Sequence, residues 1–185
     1  SRTLPPRRPG VITVGAFHSG TKHNIISDAA HLQLTVRTES PQDRTLLLDG
    51  IRRVAENMGR VAGLPDELLP EVVVSEESVP PTLNDKVLTE RVMALWNGHF
   101  GEGVLFSGER LGMGAEDFPF FTVNPYIPSL YFAVGGTPPE DFAAEKAGGP
   151  PVPSHHSPLF KIEPDASVTL GVEASVTALL DLLGS

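Results

Sequence analysis

The apolar residues of the chain change their period at Pro41, from alternation along a strand to the spacing of a helix. Residues 31–37 alternate polar and apolar side chains, which predicts a half-buried β-strand with its Leu and Val residues facing the core. From Pro41 onward the apolar residues recur at helical spacing, which predicts an amphipathic helix over residues 42–61. This order of elements favours a sheet with a helix packed on one face.

Two further strands are predicted, one before and one after these elements. Residues 11–14 are β-branched and lie between Pro9-Gly10 and Gly15, which predicts a strand with turns on both sides. Residues 71–75 are rich in valine and predict another short strand. The first region is therefore strand, strand, helix, strand, and the exposed edge of its sheet needs a partner or a cover.

A second region is predicted to begin near Pro80-Pro81, because two fixed φ angles and two missing N–H donors interrupt regular structure. Asn84 or Asp85 can cap a helix that runs to about Phe100. The remaining predicted segments are extended runs at 104–106 and 130–134, a long loop at 136–158 and a closing helix at 165–183. Strands that alternate with helices favour an α/β fold, with domains at 1–78 and 79–185.

The charge and cysteine content exclude several classes of function. Fourteen Lys and Arg residues against twenty-three Asp and Glu give a net charge of -9, which repels phosphate backbones, so nucleic acid is not an expected partner. Cysteine is absent, so a metal would have to be held by His, Asp or Glu. This absence is compatible with a cytoplasmic location, which we expect. No apolar stretch is expected to be long enough to cross a membrane.

A histidine doublet, His155-His156, lies in the long predicted loop. Imidazole nitrogen is a common ligand for zinc and similar ions. In extended backbone, adjacent side chains point to opposite sides, so at most one of the two is expected to face a site. The residues alone favour the other interpretation, histidines that lie at the surface or pack locally.

Three other side chains are candidates for substrate binding. Glu116, next to Asp117, follows a glycine-rich turn where the backbone can approach a ligand closely, although either acid could instead cap the next helical turn. Asn24 and Arg37 lie on either side of a predicted hairpin, and the planar guanidinium of arginine fits a carboxylate in two places. The residues alone favour the other interpretation of Asn24 and Arg37, a turn amide and a solvated strand arginine.

The sequence lacks the motifs of two other kinds of functional site. The nucleophile-elbow pattern Gly-x-Ser-x-Gly and the phosphate-binding pattern Gly-x-x-x-x-Gly-Lys are both absent. The histidines His18, His23, His31 and His99 form no His-x-x-x-His pair, and we interpret them as structural or exposed.

Taken in order, these motifs resemble the later part of the zinc aminoacylase and carboxypeptidase family, and in particular its hippurate hydrolase and auxin-conjugate amidohydrolase branch. The matching segments are 11–15 (VITVG), 20–28 (GTKHNIISD), 35–38 (TVRT), 80–85 (PPTLND), 113–118 (MGAEDF) and 156–160 (HSPLF). The resemblance covers nearly the whole chain. It implies an α+β lid fragment over 1–78 and the remnant of an α/β metallohydrolase catalytic domain over 79–185.

The resemblance also implies roles for particular residues. His156, immediately before Ser-Pro, matches the last metal ligand of the family, whereas His155 is not carried over. Asn24 and Arg37 match lid residues that hold the substrate's carbonyl or carboxylate, and Glu116 lies in the motif that lines the substrate pocket. In relatives, two divalent ions (Zn, Mn, Co or Ni) activate water toward an N-acyl amino acid or related amide. A homodimer formed through the lid is a further expectation.

The earlier half of such enzymes has no counterpart in this sequence. Relatives carry there a Cys-x-His motif, a Glu-Glu pair, another metal-binding histidine and a glutamate general base. One histidine cannot fix a catalytic ion, so we expect this chain alone to be inactive. The alternative is a non-catalytic dimerisation or binding module derived from the same family.

Overall fold

The structure, a computed structural model, describes residues 3–106, 108 and 112–184. They fall into two units: Ser1–Thr82 with Leu111–Tyr126, and Leu83–Arg110 with Ile127–Ser185. The first unit holds a small antiparallel sheet and the second is helical, so the predicted mixed α/β class is confirmed. The predicted domains at 1–78 and 79–185 remain a prediction.

The sheet of the first unit is a hairpin of two antiparallel strands. The strands are β1, Gly10–Ser19, and β2, Ala30–Thr38. Both predicted strands are confirmed, but β1 was expected to end at Gly15 and instead continues for four residues. It can continue because Gly15 is left without a partner in the ladder, and the register shifts by one residue between Val14 and Ala16.

This β-bulge keeps Phe17 on the same face as Val14 and Leu34. Before the bulge Val14 pairs with Leu34, and after it Phe17 pairs with Leu32. Side chains alternate along a strand, so a regular ladder would have turned Phe17 to the polar face. The bulge thus gives the hairpin one apolar face and one polar face.

The apolar face packs against helix α1, Pro41–Val61, which confirms the predicted amphipathic helix. Ser40 is its N-cap, and the side chain of Ser40 accepts a hydrogen bond from the backbone N–H of Asp43 at 3.1 Å. The buried Asp43 carboxylate also forms an ion pair with Arg8, with 2.8 Å between Nη1 and Oδ1. Leu47 is the buried apolar residue of this helix.

The predicted strand at 71–75 was wrong. The sheet formed by the described residues has two strands, and residues 71–75 pair with neither. A strand is defined by hydrogen bonds to a neighbour, and valine-rich composition supplies only the propensity. Val73 remains 80% exposed, so its side chain finds no apolar cover either.

The second unit is built on helices α2 and α4. Helix α2, Lys86–Phe100, begins at the N-cap Asp85, whose carboxylate accepts from the Leu88 N–H at 2.9 Å, as the sequence predicted. Helix α4, Pro164–Leu183, is the predicted closing helix. Their contact buries Val92, Trp96 and Ala174, and the Trp96 indole N–H donates to the Ala174 carbonyl at 3.0 Å.

Three other predictions for the second unit need correction. Residues 104–106 and 130–134 are not strands, and the long loop at 136–158 contains a short helix, α3, Pro139–Lys146. At one position in the run at 130–134, a side chain makes the two backbone hydrogen bonds that a neighbouring strand would have made. The Asn84 amide accepts from the Tyr131 N–H at 2.8 Å and donates to the Tyr131 carbonyl at 2.9 Å.

Helix α4 also corrects the expectation that no apolar stretch could cross a membrane. It has 20 residues, and the mean hydropathy over an 18-residue window is 1.5, which is sufficient by length and composition alone. Two of its acidic residues nevertheless bind side chains of α2. Asp181 lies 2.6 Å from the Arg91 Nε, and Glu173 lies 2.8 Å from the His99 Nε2. These contacts fit a helix that packs within a folded unit.

The α2–α4 contact makes a stability prediction. Val92 is 1% exposed, so Val92→Ala removes two buried methyl groups and leaves a cavity, which should lower the free energy of unfolding by about 2 kcal/mol. Val87, in the same helix, is 75% exposed, and Val87→Ala should change it by less than about 0.5 kcal/mol. Urea unfolding followed by the fluorescence of Trp96, the single tryptophan, measures both. Equal effects of the two substitutions on the free energy of unfolding would contradict the burial of Val92 in this core.

Candidate functional site

Arg37 lies on the polar face of the hairpin, near the end of β2. Its guanidinium Nη1 donates a hydrogen bond to the backbone carbonyl of Met113 at 2.5 Å. Both residues belong to the first unit, although they are 76 positions apart in sequence. The contact fixes one edge of the guanidinium while the side chain stays exposed, so its other N–H groups can reach a ligand.

The same contact brings the acidic motif to the polar face of the hairpin. Met113 begins this motif, and Glu116, three residues later, is half-buried. Asp117 precedes a 3₁₀ turn at Phe118–Phe121, but its side chain accepts no capping hydrogen bond there. The capping interpretation therefore fails for Asp117. Arg37 and the acidic motif are the two candidate features that the structure brings together.

Asn24 lies in the loop between β1 and β2 and is exposed. The ends of this loop are held by two hydroxyl groups that donate to the same carbonyl, that of Ala29: Ser27 Oγ at 2.6 Å and Ser19 Oγ at 3.0 Å. Gly20 adopts a φ of +69°, a left-handed conformation that favours glycine at the start of the loop. These contacts restrict the base of the loop and leave the Asn24 amide at the surface.

His156 lies within the first of two consecutive turns in the second unit. The Ser157 N–H donates to the Ser154 carbonyl at 2.9 Å, and the Phe160 N–H donates to the Ser157 carbonyl at 3.0 Å. The imidazole is exposed, and its centroid is 5.9 Å from that of His155. Its unit is thus different from the unit of Arg37 and the acidic motif.

The described residues do not by themselves form a metal centre. Within 3–106, 108 and 112–184, no group of three or more His, Asp or Glu side chains is arranged to hold an ion. Catalytic zinc sites use three protein ligands and an open position. His156 can supply one such ligand, so the described part of the chain does not fit a complete centre.

Sequence reasoning missed two arrangements that depend on the hairpin register and on long-range contact. The Arg37–Met113 hydrogen bond carries no local sequence signal. His18 and His31, interpreted as unrelated exposed or structural residues, are directly opposite each other across the ladder, and both are exposed. The unpaired Gly15 was the available signal, since glycine in a strand often marks a bulge.

The chain is similar in sequence to several known hydrolases. No family model matches the chain. An uncharacterised hydrolase of Sinorhizobium fredii is 30% identical over 183 residues, which are 99% of this chain and 41% of that protein. Thermostable carboxypeptidase 2 of Saccharolobus solfataricus is 32% identical over 135 residues, 73% of this chain and 32% of the relative.

A hippurate hydrolase of Campylobacter jejuni is 27% identical over 121 residues, 65% of this chain and 30% of the relative. The chain thus spans about two fifths or less of the length of these relatives. Their names agree on hydrolysis, by carboxypeptidases and by amidohydrolases. The chain is therefore homologous to, and belongs among, the hydrolases of the carboxypeptidase and amidohydrolase type.

Proposed function

We propose that this chain is part of a metal-dependent amidohydrolase that cleaves N-acyl amino acids or related amides. The observation that carries the proposal is the Arg37–Met113 hydrogen bond, which holds a guanidinium beside an acidic motif on the polar face of the hairpin. A relative named for hydrolysis of hippurate, an N-acyl amino acid, supports this substrate class. We also propose that this enzyme is cytoplasmic.

The substrate's carboxylate is the group that Arg37 would bind. Guanidinium has five N–H donors in a planar fork, and the Met113 carbonyl accepts from one nitrogen only. A carboxylate can therefore take the remaining edge without breaking the contact that orients the side chain. The exposed Asn24 amide would donate to the substrate's carbonyl, and Glu116 would line the pocket.

The metal is proposed from the resemblance of the 156–160 segment to a ligand motif. His156 would hold one of two divalent ions (Zn, Mn, Co or Ni), which would supply an activated water when bound. The other ligands and the general base would lie on polypeptide outside this sequence. Because the described residues form no three-ligand group, we propose that the chain alone is inactive.

A homodimer formed through the hairpin unit is the proposed assembly. Much of the apolar face of the hairpin remains uncovered: Val14 is 52% exposed and Phe17 is 62% exposed. The second candidate function is a non-catalytic dimerisation or binding module. Two observations favour it: the exposure of this apolar face, and the absence of a three-ligand group among the described residues. An upstream Cys-x-His segment in the same reading frame would favour the enzyme.

His156→Ala tests the metal proposal in the full-length protein that carries this sequence. Loss of a ligand should lower bound metal and abolish most turnover of an N-acyl amino acid, measured by elemental analysis and by release of the free amino acid. His155→Ala is the matched control and should retain both. Unchanged metal content and turnover in His156→Ala would remove this histidine from the site.

Arg37→Ala tests the substrate proposal. Hydrogen bonds to a charged group contribute about 1.5–3 kcal/mol, so kcat/KM for an N-acyl amino acid should fall about 10- to 150-fold. The fall should be much smaller for the corresponding N-acyl amino acid amide, which lacks the carboxylate. Arg53→Ala, at an exposed position of α1, is the control. Equal losses for the two substrates would show that Arg37 does not bind the carboxylate.

A further inference from the structure

Two histidines lie opposite each other at the loop end of the hairpin. His18 of β1 pairs with His31 of β2, one position before the last pair of the ladder, Ser19 and Ala30. Side chains of directly opposed residues in an antiparallel ladder project from the same face. The two imidazoles therefore share the polar face of the hairpin.

The bulge at Gly15 creates this pairing. Before the bulge, Val14 pairs with Leu34, and an unbroken ladder in that register would place His18 opposite Ala30. It would also turn His18 toward the apolar face, because one residue of slip exchanges the two faces. The shift of one residue places His18 on the polar face, across from the second imidazole.

The backbone spacing suits chelation of one ion by both rings. Opposed residues have Cβ atoms about 4.5–5.5 Å apart, which is within the reach of two imidazoles that turn toward each other. Metal–nitrogen bonds of about 2.0–2.1 Å bring two ligand nitrogens to roughly 3 Å from each other. Both histidines are exposed, which leaves the rings room to rotate. Their neighbours on the same face, Ala16 and Gln33, carry no charge that would compete with a cation.

We propose that His18 and His31 form a two-histidine binding site for a late first-row divalent metal ion. Imidazole is a suitable ligand for copper, nickel and zinc, and affinity should be highest for Cu(II). Water would complete the coordination, because the described residues contain no group of three or more possible ligands. The proposed site uses two residues of the first unit, whereas His156 belongs to the second unit.

Metal at this pair would cross-link the two strands at the base of the loop that carries Asn24. The loop runs from residue 20 to residue 29, between the last residue of β1 and the first of β2. A bound ion should therefore slow amide hydrogen exchange in the loop, because local opening would have to break a metal–nitrogen bond.

Calorimetric titration of the metal-depleted chain with Cu(II) and Ni(II) tests the proposal. We expect one site in the unmodified chain, and His18→Ala and His31→Ala should each weaken it by at least about tenfold. His23→Ala, which removes an exposed histidine from the loop, is the matched control and should leave affinity unchanged. His156→Ala should leave the site intact, and this separates it from the proposed catalytic metal.

Three results would overturn the proposal. The first is that the unmodified chain binds no metal. The second is that the affinity is unchanged in both His18→Ala and His31→Ala. The third is that the site is lost in His156→Ala or His23→Ala instead. Hydrogen exchange of the loop gives an independent readout, since Cu(II) should protect residues 20–29 in the unmodified chain and in His156→Ala but not in His18→Ala. The outcome does not depend on whether the full-length protein hydrolyses amides.

Discussion

The register of the β1–β2 hairpin is the constraint on which the rest of the first unit depends. A single unpaired residue, Gly15, shifts the ladder by one position. The shift keeps Phe17 on the apolar face that packs against α1 and puts His18 on the polar face. Arg37 lies on that polar face as well, at the other end of β2. At the loop end of the hairpin, this backbone irregularity thus sets which side chains of β1 lie on the apolar face and which lie on the polar face.

The hydrogen bond from Arg37 to the Met113 carbonyl joins this face to the acidic motif. It explains how a residue in the hairpin and a motif far along the chain could act on one substrate, with the guanidinium oriented and still partly free. Homology to carboxypeptidases and amidohydrolases gives that arrangement a chemical context, although the chain spans about two fifths or less of their length. The proposed enzyme therefore needs ligands that the described residues do not supply.

Much of the secondary structure followed from local patterns, because helical periodicity and capping residues act over a few positions. Helices α1, α2 and α4 were predicted close to their observed bounds. The failed strand predictions share one cause: 71–75 and 130–134 have strand composition, but a strand needs a hydrogen-bonded neighbour, and composition does not specify one. The ladder shift at Gly15 and the contact between Arg37 and Met113 are likewise set by tertiary pairing. The candidate residues were predicted from motif resemblance, but the sequence did not predict which of them lie close together.

The hairpin register can be measured directly with paired cysteines, because the chain has none of its own. Ala16 and Gln33 are opposite each other only if the bulge is present; a regular ladder would pair Ala16 with Leu32. Under mild oxidation, Ala16→Cys with Gln33→Cys should form a disulfide, and Ala16→Cys with Leu32→Cys should stay reduced, as read by mass spectrometry of the linked peptides. A disulfide in the second pair and none in the first would contradict the bulged register and the two faces it creates.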